Sequence, residues 1–81
     1  MKSLHIVRKT NDPLAFETVR NDPNPILLLI QDGVLAKGPF PPETYACRED
    51  LAARGIEHRF RVVDYTEIAR LIAACDRAIS W

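Results

Sequence analysis

Residues 24–34, with the sequence NPILLLIQDGV, contain the stretch that decides the fold. Five consecutive aliphatic residues, at positions 26–30, leave this segment without a polar face. A strand at the surface of a sheet alternates apolar and polar residues, so the run predicts a strand covered on both sides, as in a parallel sheet with helices above and below. Prolines at 23 and 25 mark its start, because proline disfavours helix in the residue before it. A glycine at 33 favours a turn at its end.

Gln31, Asp32 and Gly33 follow directly after this strand. In open α/β sheets, ligands bind outside the carboxyl ends of the strands, so these residues are candidates for an interface or for the rim of an active site. An aspartate before a glycine is also a common turn former, and for Asp32 the turn is the favoured interpretation.

The segments on either side predict alternating short strands and helices. Predicted strands cover 3–7, 43–47, 60–63 and 78–81, and predicted helices cover 13–20, 48–54 and 65 or 66 to about 76, with a brief helical turn at 34–37. Asp12 and Asp64 stand at helix starts as N-cap residues. The pattern predicts one α/β domain over residues 1–81, with a mainly parallel sheet of four to five strands between layers of short helices.

The length and the charge balance of the chain narrow the classes of function that it can have. A chain of 81 residues buries only about 60% of the surface that its unfolded form exposes, so we expect part of its apolar surface to be covered by other subunits. Eleven acidic and eleven basic residues balance, which argues against direct binding of nucleic acid or of an acidic membrane. The sequence shows no run of about 18 apolar residues and no signal-peptide pattern, and we expect a cytoplasmic protein.

Cys47 is the weak candidate for a catalytic thiol. It lies at the end of a predicted strand and before a helix, where the helix N-terminus lowers a thiol pKa. Glu49 and Asp50 oppose a thiolate there, and a small apolar residue would serve equally well. Cys75 lies on the apolar stripe of the last helix, which favours a buried, inert thiol. A reducing compartment disfavours a disulfide, and the spacing of cysteines and histidines disfavours a zinc site. The sequence also lacks the common cofactor-binding motifs, so we expect no cofactor.

Two aromatic residues are further candidates for an interface. Phe40, within the proline-rich segment 38–42, either plugs the body of the domain or belongs to a contact surface, and Trp81 either closes the core or anchors an interface. His5 is expected to be a hydrogen-bonded structural residue, and nothing is spaced to make His58 a general base. A basic cluster is formed in the sequence by Arg54, His58, Arg59 and Arg61, which favours a solvated face or a docking patch.

The ordered set of motifs resembles the TusB/DsrH family. The motifs that carry the resemblance are LHIVRK at 4–9, LLLIQDGV at 27–34, YA at 45–46, EDLAARG at 49–55, VVDYT at 62–66 and ISW at 79–81. The resemblance covers nearly the whole chain. Each motif is weak alone, and their order makes the set specific.

The resemblance implies a small three-layer fold of the DsrE/DsrH kind, which is flavodoxin-like, and a subunit of a sulfur-relay complex. Such subunits assemble with TusC/DsrF-like and TusD/DsrE-like partners, commonly as a dimer of heterotrimers. The complex passes persulfide sulfur to a TusE/DsrC-like acceptor, either for 2-thiolation of the wobble uridine of tRNA or for dissimilatory sulfur oxidation.

The chain also departs from this family. Some relatives carry a cysteine in the first helix, near Thr18 and Val19 here, whereas this chain has none, and the connection after Val34 is shorter. The resemblance therefore implies a structural subunit without its own catalytic cysteine, within a sulfurtransferase complex. Three alternatives stay open: a persulfide carrier that uses Cys47, a subunit of the sulfur-oxidation branch, and a stand-alone homo-oligomeric binding protein.

Overall fold

A five-stranded, all-parallel sheet organises the computed structural model, which describes residues 1–57 and 60–81. The strands are β1 (Ser3–Val7), β2 (Pro25–Leu29), β3 (Thr44–Cys47), β4 (Arg61–Val63) and β5 (Arg77–Ser80), in the spatial order β4-β3-β2-β1-β5. The helices are α1 (Pro13–Asn21), α2 (Arg48–Ala53) and α3 (Tyr65–Ala74), with a 3₁₀ helix at Gln31–Leu35. This architecture confirms the predicted α/β fold with short flanking helices, and it is compatible with a flavodoxin-like three-layer domain.

The central strand β2 is buried on both faces, as its sequence predicts. Leu27 and Leu29 belong to the core on one face, and Ile26 and Leu28 belong to the core on the other. All four side chains are at most 2% exposed. Successive side chains of a strand point to opposite faces of the sheet, so this unbroken aliphatic run contributes to two separate cores.

The first face of the sheet lies under three elements: α1, the 3₁₀ helix and α2. Its buried core consists of Val7, Ala15, Val19, Leu27, Leu29, Val34, Ala46 and Leu51. Half-buried aromatic residues, Phe16, Phe40 and Trp81, pack against this cluster from its periphery. We call this side the α1/α2 face.

The second face carries α3 alone. Its buried core is smaller and consists of Leu4, Ile26, Leu28 and Val63. Ile68, Leu71 and Cys75 pack against this core from α3 and from the residue after it, yet no residue of α3 is itself fully buried. We call this side the α3 face.

Both predicted N-caps are confirmed. The Asp12 carboxylate accepts a hydrogen bond from Ala15 N at 3.2 Å, with Pro13 as the first helical residue. Asp64 and Glu67 form a reciprocal capping box: Asp64 Oδ1 accepts from Glu67 N at 2.8 Å, and Glu67 Oε1 accepts from Asp64 N at 3.0 Å.

Two helix boundaries differ from the prediction. The helical turn expected at 34–37 is a 3₁₀ helix that begins at Gln31, which takes a positive φ of 51°. The last helix ends at Ala74 rather than near Asp76, because Asp76 N donates to Lys2 O at 2.9 Å as the chain turns into β5. Both differences arise from contacts with β1 or with the residue before it, which the local sequence does not encode.

Gly33 seats the 3₁₀ helix against the end of β1. A Cβ atom at this position would lie 2.2 Å from Val7 O and 2.9 Å from Val7 C. Backbone atoms at such distances cannot move aside as a flexible side chain would, so the position requires glycine. Val7 O also accepts a hydrogen bond from Ile30 N at 3.0 Å, which fixes the approach of the two segments.

We expect Gly33→Ala to lower the free energy of unfolding by about 3 kcal/mol, because the new methyl group forces the 3₁₀ helix away from β1. The measurement is urea denaturation followed by circular dichroism. Gly55→Ala is the matched control. Gly55 has a φ of +64° but nothing within 4 Å of its would-be Cβ, so its substitution should cost only about 1 kcal/mol. Equal losses at the two positions would contradict the steric argument.

Candidate functional site

The carboxyl ends of all five strands lie at one edge of the sheet, because every pairing is parallel. Gln31, Asp32 and Gly33 occupy this edge within the 3₁₀ helix. Gln31 and Asp32 are exposed, whereas Gly33 is buried against β1. Gly33 is needed at its position because any larger residue would clash with β1. The side chains of Gln31 and Asp32 are accessible to a binding partner.

Asp32 is engaged in two contacts that join separate segments. Its Oδ1 accepts from Arg54 Nε at 3.0 Å and from Arg54 Nη2 at 2.9 Å, and its backbone oxygen accepts from Thr10 Oγ1 at 3.0 Å. Arg54 Nη1 also donates to Asp50 O at 3.2 Å. The Asp32 carboxylate is 65% exposed, so the ion pair contributes little stability, and its main effect is to orient the end of α2.

Cys47 lies at the junction of β3 and α2, where the sequence predicts it, but its side chain is fully buried. Its thiol donates to Glu49 Oε1 at 3.5 Å. Burial raises the pKa of the Cys47 thiol, the Asp50 carboxylate raises it further, and the backbone N–H groups of Asp50 and Glu49 oppose this rise without outweighing it. The site therefore disfavours the thiolate that nucleophilic sulfur chemistry requires.

Cys75 is a second free thiol, half-buried against the core of the α3 face. Burial is the largest cause that raises its pKa, and the carboxylates of Glu43 and Asp76 act in the same direction. Both cysteines of the chain thus sit in surroundings that favour the protonated form.

Phe40 and Trp81 both pack on the core of the α1/α2 face. Phe40 packs edge-on against Phe16 and Phe60, with ring centroids 6.2 and 4.7 Å away, and contacts the core of the α1/α2 face, which favours the plug interpretation. Trp81 packs on the same core and stacks on His5, with centroids 6.4 Å apart and an angle of 14° between the rings. Both aromatic side chains are therefore engaged by residues of this chain.

A groove of about 250 Å³ opens on the α3 face, between α3 and the carboxyl ends of β1 and β2. It is lined by Ile6, Leu28, Ile30, Gln31, Asp50, Tyr65, Ile68 and Ile72, and we call it the α3 groove. Tyr65 is 64% exposed and Ile72 is 43% exposed. Cys47, once it is ionised at high pH, is the largest cause that raises the pKa of Tyr65, and burial and the carboxylates of Asp50 and Glu49 act in the same direction. The groove is thus apolar along its length and acidic at the Tyr65 end.

The sequence analysis missed this groove, although it placed Gln31 at the sheet edge. A signal for it exists in α3, where seven of ten residues are apolar or alanine and only Glu67 and Arg70 are charged. The apolar stripe of this helix is wider than the part that Ile68 and Leu71 bury against the sheet, so Tyr65 and Ile72 stay exposed at its edge.

The predicted basic cluster falls partly outside the described residues, which do not include His58 and Arg59. Its two described members bind different partners. Arg54 pairs with Asp32, and the Arg61 guanidinium lies 5.7 Å from the centre of the Tyr45 ring.

His5 is a hydrogen-bonded structural residue, as predicted. Its Nε2 lies 2.8 Å from Asp22 Oδ2, and since a carboxylate only accepts, Nε2–H is the donor. Asp22 Oδ1 accepts in turn from Asn24 N at 3.0 Å. The hydrogen bond from His5 is the largest cause that lowers the pKa of Asp22 below its ordinary value of 3.8. The pair ties β1 to the turn between α1 and β2.

The described residues hold no metal centre and no membrane-spanning helix. Across 1–57 and 60–81, no three His, Cys, Asp or Glu side chains are grouped so that they could bind a metal ion. Within the same ranges, no helix has the length and apolar character needed to cross a membrane.

Comparison with known proteins assigns no family: no family model matches the chain, and no curated protein matches it.

We expect Asp22→Asn to lower the free energy of unfolding by about 1–3 kcal/mol at pH 7, because a buried histidine loses its charged acceptor. Because the folded pKa of Asp22 is depressed, its contribution is present above the unfolded pKa and is lost as the pH falls through the folded pKa. The difference between wild type and variant should therefore shrink below about pH 4. Urea denaturation between pH 2.5 and 7 measures it.

Glu17→Gln is the matched control for this experiment. Glu17 forms an exposed pair with Arg20, at 3.0 Å, and its loss should change stability by less than about 0.5 kcal/mol at every pH. A pH-independent effect of Asp22→Asn would contradict the linkage to the Asp22 carboxylate.

Proposed function

We propose that this chain is a structural subunit of a TusBCD/DsrEFH-like sulfur-relay complex that passes persulfide sulfur to a TusE/DsrC-like acceptor. The end point proposed for the sulfur is the 2-thiolation of the wobble uridine of tRNA. In this proposal the chain works in the cytoplasm, binds TusC/DsrF-like and TusD/DsrE-like subunits, and does not contact nucleic acid itself.

The observation that carries the proposal is the state of the two thiols. Persulfide transfer requires a thiolate that attacks the outer sulfur of a persulfide, so that one S–S bond forms while another breaks and the donor leaves as a thiolate. Cys47 is fully buried and Cys75 is half-buried, and burial raises both pKa values. A chain with these thiols is suited to supporting a reactive cysteine on another subunit rather than to carrying the sulfur.

The incomplete cover of the α3 face supports an assembled state. The sheet has five strands, yet this face carries one helix, and large apolar side chains stay exposed along it. An obligate interface of the kind found in permanent complexes buries such surface. The α/β fold is compatible with the fold that the resemblance implies.

The test is co-expression with candidate TusC-like and TusD-like chains, followed by measurement of the mass of the purified assembly and of sulfur transfer from a persulfide donor to a TusE-like acceptor. We expect one complex that contains all three chains, and we expect Cys47→Ser and Cys75→Ser to retain the transfer rate within about twofold. Substitution of the reactive cysteine of a partner should abolish transfer.

Two results would overturn parts of this proposal. Loss of transfer in Cys47→Ser, in a complex that still assembles, would make this chain a persulfide carrier. Failure of the chain to join either partner, while it remains folded by circular dichroism, would remove the relay function altogether.

A further inference from the structure

Two adjoining cavities form a groove along helix α1. One has a volume of about 500 Å³ and the other about 320 Å³, and Phe16, Arg20 and Pro39 line both. The first cavity is lined by helix positions 13, 16, 17 and 20, which have the i, i+3, i+4, i+7 spacing of one helix face. This face of α1 forms one wall, and residues 37–42 form the other. We call the two cavities together the α1 groove.

The two ends of the α1 groove differ in character. The first cavity includes Thr10 and Asn11, in the connection from β1 to α1, so it lies towards the carboxyl end of β1. Open α/β sheets bind ligands at this edge. The second cavity is mainly apolar and is lined largely by proline and aromatic side chains, among them Pro25, Phe40 and Pro42. The groove therefore has a polar end and an apolar end.

Lys37 gives the polar end an unbalanced positive charge. Its ammonium group has no ion-pair or hydrogen-bond partner in the described ranges, 1–57 and 60–81. Glu17 lines the same cavity, but its carboxylate pairs with Arg20 at 3.0 Å. Asp22 lines the apolar end, and both of its carboxylate oxygens already accept hydrogen bonds within the domain. The charge that is left for a ligand is therefore positive.

Arg20 is placed to bind the same ligand as Lys37. It lines both cavities, and its contact with Glu17 uses Nη1 alone. The two side chains of this pair are 61% and 59% exposed, so the pair contributes little stability and can give way to a ligand at small cost. A guanidinium group binds carboxylates and phosphates through parallel N–H donors. Asn11 adds a neutral amide donor at the polar end.

We propose that the α1 groove binds a small organic anion with a flat apolar body. Its carboxylate or phosphate group contacts Lys37 and Arg20, and its body packs on Phe16 and Pro39, whose rings lie where the two cavities meet. Both volumes fall within the range of known small-molecule sites, which combine apolar walls with a few polar groups that orient the ligand. The proposal does not rest on the relay function.

The test titrates the full chain, labelled with ¹⁵N, with 2-naphthoate at pH 7 and low ionic strength, and follows the backbone amide signals by NMR. We expect a dissociation constant on the order of 1 mM, as is usual for a probe of this size. The largest shifts should fall in residues 10–20 and 37–43. 2-Naphthol, which has the same rings without the charge, should bind at least about fivefold more weakly.

2-Naphthyl phosphate distinguishes the two head groups. Binding more than about threefold tighter than that of 2-naphthoate would assign the site to phosphorylated ligands, and weaker or equal binding would assign it to carboxylic acids.

Lys37→Met removes the charge and keeps most of the aliphatic stem. It should raise the dissociation constant of 2-naphthoate at least about fivefold and leave that of 2-naphthol within about twofold of wild type. Lys9→Met is the matched control, because Lys9 is also an exposed lysine next to the groove but is not among its lining residues. It should leave both constants within about twofold of wild type. Both substitutions are at exposed positions, and circular dichroism should show that both variants are folded.

Several results would overturn the proposal. They are the absence of binding of both anions at about 10 mM, binding of 2-naphthol as tight as that of 2-naphthoate, and shifts centred outside the α1 groove. An unchanged constant for 2-naphthoate in Lys37→Met, or an equal change in Lys9→Met, would overturn it as well. The measurement uses this chain alone, so failure of the relay complex to form would leave it unaffected.

Discussion

The burial of β2 on both faces is the constraint on which the rest of the structure depends. Four aliphatic side chains of this strand enter two cores, so the sheet needs cover above and below. The α1/α2 face receives that cover from within the chain. The α3 face receives it only in part, because the chain is short and its third helix has to cross from the β4 edge to the β5 edge. The same constraint that fixes the fold thus leaves the α3 face with less cover than the α1/α2 face.

Local sequence predicted the elements well and their long-range contacts poorly. The aliphatic run of β2 and the caps Asp12 and Asp64 are short-range signals, and the structure confirms them. The start of the 3₁₀ helix depends instead on the close approach of Gly33 to β1. The partner of His5 lies 17 residues away and the partner of Asp32 lies 22 residues away, so only the folded chain reveals these pairs. The α3 groove could have been inferred from the width of the apolar stripe on its helix, which runs from Tyr65 to Ile72.

Burial and neighbouring charges determine whether Cys47 and Asp32 can act in chemistry or binding. Cys47 stands before a helix, a place that activates thiols in other settings, yet burial and the nearby Asp50 carboxylate raise its pKa. Asp32 stands at the edge where ligands gather in such sheets, yet Arg54 engages its carboxylate. Position in the fold made both residues candidates, and their immediate neighbours favour structural roles.

The place of β5 in the sheet has a consequence for how the protein is made. β5 pairs with β1, and Arg77 lies beside Ser3 in the register, 74 residues along the chain. While the ribosome is still synthesising the intervening residues, one edge of β1 has no strand to pair with, and its backbone groups can bond to the strand of another nascent chain. The closing of such a long loop is also slow compared with local helix formation. β5 therefore covers the free edge of β1, and the domain can misassemble until residues 77–80 have left the ribosome.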